Sequence, residues 1–191
     1  MLQTLTSSLL LTINQAWSSD ITYYEVGDVC YYITFIMDCY SRRILGSQVS
    51  KRLITEHTTL ACIQKAVHTR GKIAEGMIFH SDGGGQYYDA AFLKYTSQWK
   101  MRNSMCEYAY ENGKAERLNG IIKNNYLRHY RIKSYEQLEK CVDRAVYLYN
   151  YERPHKALNY KTPVEFEKCT ALLQKQTRPK MTESLEATRS I

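Results

Sequence analysis

The chain has 191 residues and a formal net charge of +7, from 26 lysines and arginines against 19 aspartates and glutamates. Its 44% hydrophobic and 24% charged residues are typical of a globular domain and exclude a disordered or collagen-like chain. No apolar run approaches the roughly 18 residues of a membrane span. We therefore expect no membrane segment, and the excess of positive charge favours a polyanionic partner.

Positive charge is concentrated in the second half of the chain. Residues 1–50 carry a net charge of −2, whereas residues 94–191 carry +8. Between Lys114 and Lys133, six basic residues accompany a single carboxylate, Glu116. Such a run is either an ordinary solvated face or a nucleic-acid surface, and charge alone does not distinguish the two.

The cysteines and the N-terminal segment indicate a cytoplasmic protein. None of the cysteines forms a C-x-x-C pair, and their spacing does not suit a zinc site; they lie at positions 30, 39, 62, 106, 141 and 169. We expect buried, reduced thiols. The first 13 residues lack the basic segment of a secretory signal, because the first lysine or arginine is Arg42.

The predicted elements follow the order three strands, helix, strand, helix, strand and then helices. Runs of β-branched and aromatic residues predict strands over 20–26, 30–38, 43–50, 77–80 and 102–106, with Gly27-Asp28 as a hairpin turn. Apolar spacing predicts helices over 56–70, 88–99, 114–130 and 134–151. Capping boxes begin the helices at Ser134 and Thr162. This order predicts an α/β fold with a mixed sheet and helices on its faces.

Three carboxylates occupy positions that suit a metal site. Asp20 opens the first strand, Asp82 follows the fourth, and Glu116 lies in the first turn of the long basic helix. If these positions converge, the carboxylates repel one another, and such oxygen clusters favour Mg²⁺. Two ions about 3.5–4 Å apart support in-line phosphoryl displacement. Each acid alone is also explained as a turn, cap or helix-dipole residue.

Asp38 and the glycine triplet that follows Asp82 each allow two interpretations. Asp38 also ends a strand, and a turn hydrogen bond or an ion pair with the residues behind it, Ser41 and Arg42, explains it. The triplet Gly83-Gly84-Gly85 is not a P-loop, because no Gly-Lys-Ser/Thr follows. It is either a loop that closes around substrate or a permissive surface turn.

The long basic helix presents two neighbouring faces. Helical spacing places Glu116, Asn119, Gly120 and Lys123 on one face, which suits close approach of a phosphate backbone. The neighbouring face is apolar and is predicted to be core; it consists of Ala115, Leu118, Ile122 and Tyr126. Further basic residues extend the positive surface: Lys114, Arg117, Arg128, Arg131 and Lys133.

Five motifs in order resemble the insertion-sequence DDE transposases, whose integrase catalytic core belongs to the retroviral-integrase superfamily. They are the segments 17–23 (WSSDITY), 38–46 (DCYSRRILG), 80–87 (HSDGGGQY), 112–123 (NGKAERLNGIIK) and 149–158 (YNYERPHKAL), the last followed by Thr162-Pro163. The resemblance covers residues 17–166 and implies a ribonuclease H-like fold with a mixed five-stranded sheet flanked by helices.

The resemblance implies that Asp20, Asp82 and Glu116 form a catalytic, metal-binding triad for two Mg²⁺ ions, which Mn²⁺ can replace. The implied reaction is cleavage of DNA at the element ends, followed by attack of the freed 3′-hydroxyl on a target phosphodiester. The separation of Asp82 and Glu116 by 33 residues is slightly shorter than is common in the family. Glu111 is a weaker rival for the third position, because it precedes the Asn112-Gly113 break.

The resemblance also implies contacts with DNA. By analogy, Asn119 and Lys123 touch the DNA end, whereas Arg153, His155 and Lys156 contact DNA or brace the core. A ribonuclease H-like nuclease that only hydrolyses, and an inactive DNA-binding remnant, are the alternative functions.

Partners and domain boundaries follow from the same resemblance. The expected partner is DNA, at the element ends and the target, bound by a homo-oligomer in the bacterial cytosol and nucleoid. Family members carry an N-terminal helix-turn-helix region, so a separate subunit of that kind is an expected partner here. The expected boundaries are an N-terminal remnant or linker over 1–15, the core over 16–153, the closing motif with a short helix over 154–175, and a disordered tail over 176–191.

Overall fold

The structure, a computed structural model, describes residues 12–105 and 112–177 and is built on one five-stranded mixed sheet. Its strands are Ala16–Val26 (β1), Val29–Asp38 (β2), Ile44–Ser50 (β3), Ile78–Ser81 (β4) and Arg102–Met105 (β5). They lie in the order β3-β2-β1-β4-β5. The pairs β1–β2 and β2–β3 are antiparallel, whereas β1–β4 and β4–β5 are parallel. The predicted mixed sheet is confirmed.

The predicted hairpin between the first two strands is also confirmed. Val26 pairs with Val29 across the two-residue turn. Gly27 adopts a φ of +60°, which a residue without a side chain accepts at little cost.

Six α-helices lie among the described residues. They are Thr59–Arg70 (α1), Gly85–Tyr88 (α2), Ala90–Gln98 (α3), Gly113–Asn125 (α4), Tyr135–Tyr151 (α5) and Pro163–Thr177 (α6). The helix predicted over 88–99 is interrupted at Asp89, which caps α3 by accepting a 2.8 Å hydrogen bond from the Ala91 N–H. The first helix begins three residues later than predicted, after a 3-10 turn at Thr55–His57.

The long basic helix is shorter than predicted. It ends at Asn125 rather than at Tyr130, and a 3-10 turn follows at Leu127–His129. Asparagines are weak helix formers, and Leu127 is completely buried in the core. The burial of Leu127 and the low helix propensity of Asn124 and Asn125 together favour an early end of this helix.

The predicted capping box at Thr162 is confirmed, whereas the one at Ser134 is formed in part, because the Gln137 side chain accepts from the Lys133 N–H. The Ser134 hydroxyl accepts a hydrogen bond from the Gln137 N–H at 3.2 Å. At α6 the exchange is reciprocal: the Glu165 N–H donates to the Thr162 hydroxyl, and the Thr162 N–H donates to the Glu165 carboxylate.

Two apolar clusters hold helices to the sheet. One cluster joins Ile33 and Phe35 of β2 to residues of α4 and α5, including Leu118. The other cluster joins Trp17 and Phe79 to α1, α2 and α3. Gly46 permits close contact of α1 with β3, because a Cβ there would lie 2.5 Å from the Cys62 carbonyl oxygen.

The predicted apolar face of α4 is confirmed. Ala115, Leu118 and Ile122 are buried, and Tyr126 is partly buried against the same cluster.

Asp38 is completely buried within a network of hydrogen bonds and ion pairs. It accepts hydrogen bonds from the N–H groups of Tyr40 and Ser41, which confirms the turn interpretation. Its ion-pair partner is Arg70 at 3.3 Å, rather than the neighbouring Arg42. Arg70 also pairs with Glu167 of α6, so the network ties the last helix to the sheet.

The cysteines are only partly as predicted. All five cysteines within the described residues are free: Cys39 and Cys62 are buried, whereas Cys141 and Cys169 are intermediate. Cys30 is exposed, and the prediction of a buried thiol is wrong there because Cys30 lies beside the solvent-exposed hairpin turn.

Cys106 and the rival acid Glu111 lie outside the described residues, as do 178–191 of the predicted tail. In the described part of the chain, no helix combines the length and apolarity needed to cross a membrane.

Candidate active site

The parallel pairing of β1 with β4 brings two of the three predicted acids together. Ser18 pairs with His80; Asp20 lies two residues further along β1, and Asp82 directly follows the last residue of β4. Parallel strands that share a register present equivalent positions at the same level of the sheet. The first and fourth strands are therefore neighbours, which brings the positions of Asp20 and Asp82 to the same level of the sheet.

Glu116 reaches the same region from α4. A cavity of about 410 Å³ lies between β1 and this helix, and its lining residues are Asp20, Thr22, Glu116, Asn119, Gly120, Lys123 and Asn124. The predicted polar face of α4 thus borders Asp20. Sequence reasoning missed Thr22, although its place two residues after Asp20 on a strand puts it on the same face.

The three carboxylates influence one another electrostatically. Burial above all, and then the negative charges of Asp82 and Glu116, raise the pKa of Asp20 to about 6 against two opposing hydrogen bonds. These bonds come from the Ile21 N–H at 2.9 Å and from the Asn119 side-chain amide at 2.7 Å. Ionisation of Asp20 is therefore less favourable here than in water, and positive charge that enters the site would favour it.

Asn119 and Lys123 point to the strand that carries Asp20. The Asn119 amide donates to Asp20 Oδ2, and its own oxygen Oδ1 is buried without a hydrogen-bond partner. Lys123 Nζ lies 3.4 Å from the Thr22 hydroxyl and 4.8 Å from the centre of the Tyr23 ring. Asn119 and Lys123, two of the predicted DNA contacts, therefore lie at the site and contact residues of β1 there.

The Asp82 side chain is held by the glycine loop that follows it. Its Oδ1 accepts a 3.3 Å hydrogen bond from the Gly84 N–H. Within residues 12–105 and 112–177, no three His, Cys, Asp or Glu side chains lie close enough together to hold a metal ion. The predicted triad therefore shares one neighbourhood but is not assembled around a single ion position.

A hydrogen-bond network beside Asp20 was missed by sequence reasoning. The Ser19 hydroxyl donates to the Phe35 carbonyl oxygen at 3.0 Å, so the Tyr87 hydroxyl, 2.8 Å away, donates to Ser19. The Asn112 amide donates to the Ser19 carbonyl oxygen at 2.8 Å. The sequence signal was the polar Ser18-Ser19 pair between the apolar Ala16-Trp17 and Asp20.

The basic residues divide into two groups. Five predicted DNA contacts line a larger cavity of about 850 Å³: Lys114, Arg117, Arg153, His155 and Lys156. Arg42 lines it too, and sequence reasoning had assigned that residue only to a turn. The other three predicted contacts are exposed beyond the end of α4, namely Arg128, Arg131 and Lys133.

His155 is held within this larger cavity by Tyr149. The two rings meet edge to face with centroids 4.7 Å apart. Burial above all, and then the positive charge of Arg153, lower the pKa of His155 to about 4. The imidazole is therefore neutral at neutral pH.

Comparisons with known proteins agree with the predicted family. Residues 12–110 match a family model described as integrase core domain, and residues 98–163 match a second model of the same description. A putative transposase for insertion sequence element IS986/IS6110 of Mycobacterium tuberculosis (strain CDC 1551 / Oshkosh) is 29% identical over 161 residues, covering 81% of this chain and 58% of that protein. The transposase for insertion sequence element IS629 of Shigella sonnei is 29% identical over 161 residues, covering 82% of this chain and 52% of that protein. The chain spans little more than half the length of these relatives.

Solved structures establish the fold. The catalytic core domain of HTLV-2 integrase, determined with magnesium in a dimeric form, superposes with a TM-score of 0.67 and 22% identity over 82% of this chain and 98% of that chain. The BIV integrase catalytic core gives a TM-score of 0.64 and 17% identity over 85% of this chain and 99% of that chain. The predicted ribonuclease H-like fold is confirmed. By its match to the family model over residues 12–110 and by this fold, the chain belongs to the integrase core domain family, a family of polynucleotidyl transferases.

Proposed function

We propose that this chain is the catalytic core of a DNA transposase, which cleaves DNA at element ends and joins the freed 3′ end to a target. The observation that carries the proposal is the partly buried carboxylate of Asp20, whose pKa is raised by burial and by the charges of Asp82 and Glu116. Three acids that repel one another in a small cleft favour a site that receives cations and phosphate.

The acids suit divalent metal because all their donor atoms are oxygens, and because positive charge relieves the repulsion around Asp20. Asp20, Asp82 and Glu116 would hold two Mg²⁺ ions, for which Mn²⁺ can substitute. When bound, such ions neutralise charge on the transferred phosphate and lower the pKa of the attacking water or hydroxyl. The Asp82 side chain would first leave its hydrogen bond to Gly84, which the adjoining glycines permit.

The remaining residues of the site position the reactants. The Asn119 amide fixes one oxygen of Asp20, and Lys123 supplies positive charge at the edge of the same cavity. Burial raises the pKa of the Cys39 and Cys62 thiols, which makes thiolate nucleophiles unfavourable there. Phosphoryl transfer by positioning and charge neutralisation needs no covalent protein intermediate.

Contacts with DNA are proposed for the basic residues of α4, of the segment that follows it and of the closing motif. They are Lys114, Arg117, Asn119, Lys123, Arg128, Arg131, Lys133, Arg153, His155 and Lys156. A homo-oligomer on DNA and a separate helix-turn-helix subunit for end recognition belong to the same proposal, as do the domain boundaries at residues 15, 153 and 175.

A strand-transfer assay tests this function. The full chain is incubated with a labelled DNA end, a target duplex and Mg²⁺ or Mn²⁺. Joined products are expected. Cleavage without joining would instead indicate a hydrolytic nuclease, and binding without either reaction would indicate an inactive DNA-binding remnant.

A further inference from the structure

We propose that Asn112 is a positioning residue, which sets the register of α4 against β1 and so keeps Glu116 on the side of the helix that faces Asp20. Asn112 is buried, with 2% of its surface exposed, so it acts through the backbone of β1 and not by contact with the reactants. The inference rests on the proposed function, since the relative position of the two acids matters to the reaction only if they hold metal together.

The side chain of Asn112 is directed at the strand and not at its own helix. It occupies the position before α4 where an asparagine usually accepts a hydrogen bond from a first-turn N–H, but it accepts none from the described residues of α4. Its backbone, with φ −91° and ψ 22°, is not in the extended conformation that is typical of a capping residue. The amide instead donates to the Ser19 carbonyl oxygen at 2.8 Å, 93 residues away in the chain.

The Ser19 carbonyl lies where the pairing of two strands stops. β4 pairs with β1 over Ala16–Ser18. The Gln15 carbonyl oxygen accepts from the Ile78 N–H of β4. Alternate residues of a strand turn their carbonyls to the same side, so the Ser19 carbonyl faces this side as well. Asn112 thus supplies a donor directly beyond the last strand pair.

Asn112 begins a stripe of polar side chains along the side of α4 that faces β1. Successive members are four, three and four residues apart, which is the spacing of one helix side: Asn112, Glu116, Asn119 and Lys123. The Asn119 amide donates to Asp20 Oδ2 at 2.7 Å, and Lys123 Nζ lies 3.4 Å from the Thr22 hydroxyl. Three members of the stripe therefore contact β1 in chain order, and the exposed Glu116 lies between the first two of them.

The position of Glu116 follows from the contacts on either side of it. Glu116 lies about one helical turn, or about 5.4 Å, beyond Asn112. A helix held at Asn112 and at Asn119 cannot slide or rotate against β1 without breaking one of the two bonds. Rotation would carry Glu116 away from the cavity that it lines together with Asp20. The two amides therefore keep both acids at one cavity.

The Asn112 amide is poorly suited to a purely stabilising role. A carbonyl oxygen only accepts hydrogen bonds, so the bond to Ser19 requires the nitrogen of the amide to face β1. The oxygen, Oδ1, is then buried without a hydrogen-bond partner among the described residues. A buried polar atom left unmatched offsets much of the stability that one hydrogen bond contributes. What the amide supplies is a fixed direction between α4 and β1.

The test replaces the amide while keeping a residue that favours the start of a helix. Aspartate and serine are both preferred at this position, so Asn112→Asp and Asn112→Ser would behave like wild type if Asn112 only began α4. Neither variant can restore the bond to Ser19, because an ionised aspartate has no donor and the serine side chain is shorter. The matched controls are Asn125→Asp and Asn125→Ser, at the exposed last residue of the same helix.

The first measurement needs neither metal nor DNA. In the full chain in EDTA, NMR records the chemical shifts and the solvent exchange of the Asn119 side-chain amide protons, which report the bond to Asp20. We expect these protons to lose their protection from exchange in both Asn112 variants, because α4 is then free to shift against β1. Both Asn125 variants should keep the wild-type protection.

The second measurement is the affinity of the full chain for Mn²⁺, followed by electron paramagnetic resonance of the free ion. We expect each Asn112 variant to bind Mn²⁺ about 10–100-fold more weakly than wild type, the usual effect of losing a residue that orients metal ligands. The urea midpoint of metal-free Asn112→Ser should stay near that of wild type, because the lost bond is offset by removal of the unmatched Oδ1.

Four results would overturn the proposal. Wild-type Asn119 protection and Mn²⁺ affinity in both Asn112 variants would show that the amide positions nothing. Equal losses in the Asn112 and Asn125 variants would indicate a general effect on α4. Losses in Asn112→Asp but not in Asn112→Ser would assign the effect to the added charge. A urea midpoint that falls in parallel with the affinity would indicate a general loss of structure.

Failure of the proposed function is recognised separately. If the Asn112 variants lose Asn119 protection but the wild-type chain does not join DNA ends, the reaction is disproved and the role of Asn112 in the register of α4 stands. If the wild-type chain joins DNA ends and the Asn112 variants join them at the same rate, the role of Asn112 is disproved and the reaction stands.

Discussion

The side-chain amide of Asn112 donates a 2.8 Å hydrogen bond to the carbonyl oxygen of Ser19, immediately before Asp20 in β1. The Ser19 hydroxyl meets the hydroxyl of Tyr87, in the short helix that follows the Asp82 loop. Asn112 itself directly precedes the helix that carries Glu116. One serine thus connects the three segments that carry the candidate triad.

Removing one hydroxyl from this network should loosen the site without removing a carboxylate. We expect Tyr87→Phe to lower the free energy of unfolding by about 1 kcal/mol, the usual contribution of one hydrogen bond, and to slow DNA joining. Tyr88→Phe is the matched control, because the neighbouring ring is exposed. Urea denaturation and strand-transfer rates check both effects, and equal behaviour of the two variants would contradict the prediction.

The triad makes the most direct prediction about activity. Asp20→Asn, Asp82→Asn and Glu116→Gln should each abolish cleavage and joining while leaving DNA affinity nearly unchanged, because each removes a proposed metal ligand and no phosphate contact. Asp28→Asn, in the exposed hairpin turn, is the control and should stay active. Activity retained in any triad variant would exclude that residue from the triad.

The raised pKa of Asp20 predicts a pH-dependent stability. Its pKa is about 6 in the folded state against an ordinary value of 3.8, so between these pH values the folded state binds a proton that the unfolded state releases. Stability from this group is therefore present at low pH and is lost as pH rises from about 4 to 6. In EDTA at pH 7, Asp20→Asn should be more stable than wild type by at most about 3 kcal/mol. Urea unfolding from pH 4 to 8 measures the difference, and a difference that does not grow with pH would contradict it.

The buried ion pairs of Arg70 should matter far more than an exposed pair. We expect Arg70→Met to cost about 3–5 kcal/mol, because Asp38 and Glu167 would remain buried without their cation. Lys100→Met breaks the exposed pair with Glu75 and should cost less than about 1 kcal/mol. Thermal or urea unfolding compares the two, and similar losses would refute the role assigned to Arg70.

Lys123 should contribute one phosphate contact. Lys123→Ala is expected to weaken DNA binding at every sequence and to flatten its salt slope by about one unit. Lys94→Ala, on the exposed side of α3, is the control. Fluorescence anisotropy at several salt concentrations measures the slopes, and an unchanged slope for Lys123→Ala would leave that lysine as ordinary surface.

Local patterns predicted much of this molecule. The hairpin at Gly27, the capping box at Thr162, and the shared face of Glu116 and Lys123 follow from turn chemistry and residue spacing. Each depends on residues within a few positions of one another, so the sequence alone contains the relevant physics.

Contacts between distant segments were not predictable in this way. The early end of α4 follows in part from the burial of Leu127 in a core built by other elements. Asp38 pairs with Arg70 and not with the adjacent Arg42. The meeting of Ser19 with Asn112 and the cavity wall around Arg42 also needed the packed chain, because these contacts depend on how strands and helices pack rather than on spacing along the chain.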